Sequence, residues 1–179
     1  SLTSVTIGNS VSIIGYDAFY DCTNLISVTI GDNVTDVGEN AFYYCKKLAD
    51  VTLGNSVTNI GDEVFYCCES LKYITIPNSV DSIGDSAFKN NTSITTVNIV
   101  PISNTHTIES IGKEAFYGCT LLKSISLPDT LTSLGEGAFY NCSSLTAIII
   151  PGNVEKILDS TFYGCSSLVN IAISENVNY

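Results

Sequence analysis

Seven cysteines, one histidine, ten tyrosines and eighteen acids are the residues of this 179-residue chain that could do chemistry. The cysteines alone offer three kinds: disulfides, a metal site or redox turnover. Zinc sites need local ligand pairs aimed at one point. The one close pair is Cys67–Cys68, whose adjacency does not suit a shared metal. An odd count does not suit a closed set of disulfides. Six of the cysteines instead recur in one column: Cys22, Cys45, Cys68, Cys119, Cys142 and Cys165. The stretch Gly84–Ile94, "GDSAFKNNTSI", repeats the phrase around them but carries Asn91 in the cysteine's place. A thiol is a weak donor and an asparagine amide a stronger one. Either could satisfy a buried backbone carbonyl where the chain enters a strand. The column reads as a buried, reduced ladder. Disulfides between neighbouring turns stay open on Cα spacing, as does a metal.

The remaining candidates carry less. His106 is the only histidine, and no nucleophile stands near it, so it makes no catalytic site. It reads as an exposed loop residue. No Gly-rich phosphate loop, HExxH or GxSxG occurs. Nothing points to an enzyme or a cofactor. Seven lysines, no arginine and eighteen acids give a net charge of −11. That opposes nucleic acid, which needs a basic surface, and anionic lipid. It favours cationic partners. No apolar run approaches the length of a membrane span. Asn33, Asn90 and Asn141 begin glycosylation sequons.

The elements that would position these residues come from a repeat. Gly15, Gly38, Gly61, Gly84, Gly112 and Gly135 precede an Ala-Phe-like phrase, and Leu158 takes the seventh place. The steps are 23 residues, except one of 28. Every phenylalanine falls in one column: Phe19, Phe42, Phe65, Phe88, Phe116, Phe139 and Phe162. Aliphatic columns run through Leu25, Val28 and Ile30 and their equivalents. Ala18, Phe19, Cys22 and Leu25 share a helical face by spacing. Acids such as Asp17 and Glu39 stand where a helix would begin, and suit its electropositive first turn. The pattern therefore predicts a short helical segment over residues 16–22 and its equivalents. Val28 and Ile30 alternate with polar residues as in a half-buried strand. Gly31, Gly54, Pro77, Pro128 or Pro151 closes that strand, and Val34 and Val37 suggest a second, very short one. One unit cannot bury its apolar face alone, so the units stack, with strands of successive turns parallel.

The motif LxxIxIPxxVxxIGxxAFxxC, carried by "LKYITIPNSVDSIGDSAF" (Leu71–Phe88) and "LTAIIIPGNVEKI" (Leu145–Ile157), resembles the BspA-like, or Treponema-type, leucine-rich repeats. Asn91, Leu158, Thr161 and the insertion before Ile108 depart from it. The expected fold is an α/β solenoid. It would be a right-handed leucine-rich-repeat coil of ~23-residue repeats. A parallel β-sheet would form one face and short helical turns the other. Residues 1–179 would form one such domain, expected to be a fragment of a longer protein. The resemblance implies an extracellular or cell-surface location and adhesion to host or matrix proteins, and it carries over no catalytic residue.

Three surfaces could bind a protein or glycan partner. The outward strand face includes Tyr73, Thr75, Thr96, Asn98, Ser124, Ser126, Ala147 and Ile149. A tyrosine row follows the phenylalanines and includes Tyr117 and Tyr140, with Lys89 breaking it. The insertion within residues 100–108 holds His106. A structural spacer or filament segment, joined end to end with its own copies, is the alternative role.

Overall fold

The computed structural model describes residues 1–100 and 108–173, so His106 and most of the insertion lie outside the described residues. Long and short strands alternate along most of the chain. They are β1 (Ser4–Ile7), β2 (Ile13–Ile14), β3 (Ser27–Ile30), β4 (Asp36–Val37), β5 (Asp50–Thr52), β6 (Asn59–Ile60) and β7 (Tyr73–Ile76). Beyond these come β8 (Ser82–Ile83), β9 (Thr96–Ile99), β10 (Ser110–Ile111), β11 (Ser124–Ile125), β12 (Ser133–Leu134), β13 (Ala147–Ile150) and β14 (Asn170–Ile173). All pairings are parallel and join equivalent residues of successive turns, as in Val5↔Val28 and Ile14↔Val37. The 28-residue step keeps this register, with Thr96 opposite Ser124. The molecule is a parallel β-solenoid. Its core lies between the sheets, where the Leu, Val, Ile, Phe and Cys columns of the middle turns are buried.

The turn segments are not helical, which corrects the helix expected over 16–22 and its equivalents. Each is a chain of tight turns. Ala18, Tyr20, Cys22 and Leu25 donate their N–H groups three residues back, to Gly15, Asp17, Phe19 and Cys22. The residues between them donate to the next turn: Asp17 to Glu39, Phe19 to Ala41 and Asp21 to Tyr43, at 2.8–3.1 Å. Half the donors thus point along the stack, whereas a helix would keep them all within one turn. The spacing of the stack explains the choice. Successive phenylalanine rings lie 5.2–5.8 Å apart, whereas helices with side chains are about 10–12 Å across. A helix in every turn would need wider spacing on that side than these rings show, and would curve the stack. The local three-residue bonds imitate helical spacing in the sequence.

Some of the acids expected to begin helices have a different task, together with Asn40 and Ser86 of the same column. Asp17, Asn40, Glu63, Ser86 and Glu114 adopt φ between 54° and 57°. Asp21 (54°) and Asn90 (61°), four residues after Asp17 and Ser86, are left-handed as well. Asn, Asp and Gly tolerate this left-handed conformation best. The out-of-register Cys67 sits in the second of these positions, with φ 56°.

The two strand sides differ. The short strands form one continuous six-stranded sheet, β2 to β12. The long strands form three separate sheets: β1-β3-β5, β7-β9-β11 and β13-β14. The residue closing each strand differs between the two sides. On the short side it is glycine, whose N–H reaches the preceding turn: Gly38 to Ile14 O, Gly61 to Val37 O, Gly84 to Ile60 O, each 2.8–3.0 Å. On the long side, Val100 donates in the same way to Ile76 O at 3.1 Å, and β7 and β9 pair over all four residues. Pro77, Pro128 and Pro151 stand at that corner in other turns and have no N–H to donate. At Pro77 and Pro151 pairing with the preceding turn is lost, and at Pro128 it shrinks to Ser124–Ile125.

Candidate binding surface

The outward strand columns are solvent-facing. Thr75, Thr96, Asn98, Ser124 and Ala147 are exposed, as are Tyr73 (54%) and Ile149 (67%). Ser126 is exposed just beyond β11. The pleat causes this, because alternate side chains must face water when the others fill the core. The face is indented where β5 and β7 part. A cleft of about 270 Å³ lies there, between Asp50 and Thr52 on one side and Tyr73, Thr75 and Pro77 on the other. The Tyr73 hydroxyl donates to Asp50 Oδ1 across the gap, at 3.5 Å. A shallower depression over β1, β3 and β5 adjoins it, and both share Thr52, Leu53 and Asn55.

Of the surface residues expected from sequence, the cleft brings together Tyr73 and Thr75. The others on the strand face lie along later turns. Asp50, Asn55, Pro77 and Val100 were missed as lining residues. Their signal was available in the corner column, which changes from glycine at Gly54 to proline at Pro77.

Tyr117 and Tyr140 do not belong to the strand face. They stand in the turn segments, half-buried, with rings 4.6 Å apart and near parallel. Tyr140 stacks onward to Tyr163 at 4.8 Å. A second stack joins Tyr20, Tyr43 and Tyr66 at 4.8 and 4.7 Å. Burial first, and then Tyr66 and Glu63, push the Tyr43 hydroxyl up to about 12. Lys89 fills the slot between the stacks. Its ammonium lies 6.0 Å from the Tyr66 ring and 4.6 Å from the Tyr117 ring, and pairs with Glu114. An ammonium over a tyrosine face is attractive, so the stack continues in another chemistry.

Inside the turns lie the phenylalanine and cysteine columns. Phe42, Phe65, Phe88, Phe116 and Phe139 are fully buried, and Phe19 and Phe162 are half-buried in the end turns. The cysteines bond across turns. Cys45, Cys68, Cys119, Cys142 and Cys165 each direct Sγ at the carbonyl of the preceding turn's phenylalanine, at 3.1–3.4 Å. Asn91 donates Nδ2 to Phe65 O at 2.7 Å in the same way. Its Oδ1 is buried without a partner. Cys22 stands in the first turn and is half-buried. Burial pushes the thiols of Cys45 and Cys119 up to about 12, and that of Cys68 well above its ordinary value. Such thiols make poor nucleophiles. Among the described residues, no group of three His, Cys, Asp or Glu could hold a metal.

A stack of parallel turns with two strands each, a buried Phe–Cys column and an exposed strand face defines a leucine-rich-repeat solenoid. The chain belongs to the BspA-type leucine-rich repeat family, whose model matches residues 1–105 and 98–179 in six copies. A leucine-rich-repeat protein of T. pallidum is similar in structure, with a TM-score of 0.67 and 24% identity over 97% of this chain and 71% of that one. A leucine-rich cell surface protein of Faecalibacterium prausnitzii gives 0.51 and 25%, over 97% and 79%. No curated protein sequence matches the chain.

Proposed function

We propose that the chain is a non-enzymatic recognition module, outside the cell or at its surface, that binds a protein or glycan partner along its long-strand face. The observation that carries this reading is the exposed face itself. Its outward columns are open to solvent turn after turn and indented between β5 and β7. Solenoids use such extended surfaces for binding. The likeness to a protein described as a cell surface protein supports the location.

The test is a binding screen of matrix proteins and glycans against the chain and against a variant with Thr52, Thr75, Asn98 and Ser126 changed to lysine. These positions are exposed; four lysines in one column repel across neighbouring turns, so circular dichroism must first show that the variant folds as the parent does. A specific ligand should lose at least about tenfold in affinity, or about 1.4 kcal/mol. Ligands that bind both chains equally would rule out this face.

A further inference from the structure

Resting on that reading, we propose that the cleft between β5 and β7 receives one lysine or arginine side chain of a protein partner, held between the Tyr73 ring and the Asp50 carboxylate. The molecule already holds two ammonium groups this way. Lys89 lies 4.6 Å from the Tyr117 ring and pairs with Glu114. Lys46 lies 5.0 Å from the Tyr44 ring and 3.0 Å from Glu69. In both trios a tyrosine face and a carboxylate share one cation. Tyr73 and Asp50 also bring a tyrosine and a carboxylate together, joined here through the tyrosine hydroxyl, with the ring more than half exposed. No lysine stands among the described residues lining their cleft.

Shape and charge agree. Small-molecule pockets run about 300–1,000 Å³, and this cleft, at about 270 Å³, suits a single side chain. Leu53, Pro77 and Val100 offer apolar wall for an aliphatic stem whose head stays polar. The adjoining depression adds a second carboxylate, Asp32. The net charge of −11 draws cations toward the surface.

The experiment is a titration of the chain, followed by NMR, with the peptide acetyl-(Lys-Gly)₄-amide near physiological salt. The neutral control is the same peptide with acetylated lysines. The Tyr73 ring signals should shift and saturate with the lysine peptide only. Tyr73→Leu and Asp50→Asn should each weaken binding about three- to fivefold. Tyr73→Phe keeps the ring and should stay within about twofold. Glu155→Gln removes an exposed charge elsewhere and should do the same. If Glu155→Gln weakens binding as much as Asp50→Asn, only general attraction is present and the assignment fails. It also fails if the acetylated peptide binds equally. A maltohexaose probe that shifts Tyr73 where the lysine peptide does not would make the cleft a sugar site. Suppose the four-lysine face variant loses a partner that the Tyr73 and Asp50 variants keep. Then recognition by the face stands and only this assignment falls.

Discussion

The phenylalanine column runs unbroken from Phe19 to Phe162, even across the insertion, where Phe88 and Phe116 stack at 5.3 Å. The long-strand side of the same turns is cut twice, after β5 and after β11. Both sides obey one repeat, and the difference lies in what joins neighbouring turns. The ring stack needs only apolar volume in each turn, and any phenylalanine supplies it. The strand ladder is weakened where proline removes an N–H at the corner, shrinking at Pro128 and parting at Pro77 and Pro151. The solenoid can therefore be closed along its core while it opens at chosen points on its surface. The opening at Pro77 is where Tyr73 and Asp50 meet. The other trios, at Lys89 and Lys46, stand on the side that stays closed.

The largest way to break the comparison is to break the closed side. Phe88 is fully buried between Phe65 and Phe116. Phe88→Ala should cost about 3–5 kcal/mol in urea unfolding, from lost transfer energy and the cavity left. A loss under about 1 kcal/mol would mean the stack collapses around the gap.

Raising pH attacks the same side. Burial keeps the thiols of Cys45, Cys68, Cys119, Cys142 and Cys165 protonated in the folded chain, so their folded pKa lies above the unfolded value of 9.0, at about 12 for Cys119. Their contribution is fully present below that unfolded value and is lost as pH rises from there toward the folded one. Each fully buried thiol, such as Cys68 or Cys119, would then remove at most about 1.4 kcal/mol per pH unit. The urea midpoint should be flat near neutrality and fall steeply above pH about 9. A midpoint that holds to pH about 11 would contradict the buried thiols.

Asn91 sharpens what the column does. Asn91→Leu removes the donor to Phe65 O and should cost about 1–3 kcal/mol. Asn91→Cys supplies a donor and removes the unpartnered buried amide oxygen, so it should match or exceed the parent's stability. If Leu and Cys behave alike, the carbonyl bond is without weight. Melting curves of the two variants decide it.

The smallest expected change is at the opening. Pro77→Val restores the N–H that Val100 uses in its own turn. One ladder bond should add about 0.5–1.5 kcal/mol, less the entropy advantage of proline in the unfolded chain. Its sharper sign is slower amide exchange at residues 73–77. Unchanged exchange there would place the cause of the split elsewhere than in proline.

Much of this was readable before any fold was drawn. The columns of Phe, Cys and aliphatic residues placed the core correctly, because a stack repeats its environment every turn. The turn segments were misread, because the bonds from Ala18, Tyr20 and Cys22 copy helical spacing while Asp17, Phe19 and Asp21 bond elsewhere. A warning was present in the column Asp21, Tyr44, Cys67, Asn90, Gly118, Asn141 and Gly164, where five of the seven residues are of types that favour left-handed backbone. The strand face was legible as an exposed surface, yet not as a cleft. Pro77 was visible as the end of a strand, but its missing donor matters only to the turn before it.

The sequence by itself determined the repeat, the parallel stacking and the inward and outward columns, since these follow from periodicity and burial. Tertiary structure alone decided three things. It chose tight turns over helices, because the neighbouring turn lies closer than a helix is wide. It divided the long-strand sheet at Pro77 and Pro151, because a ladder bond joins residues a full turn apart. It set Asp50 beside Tyr73, a pair separated by 23 residues and joined only once the turns are stacked.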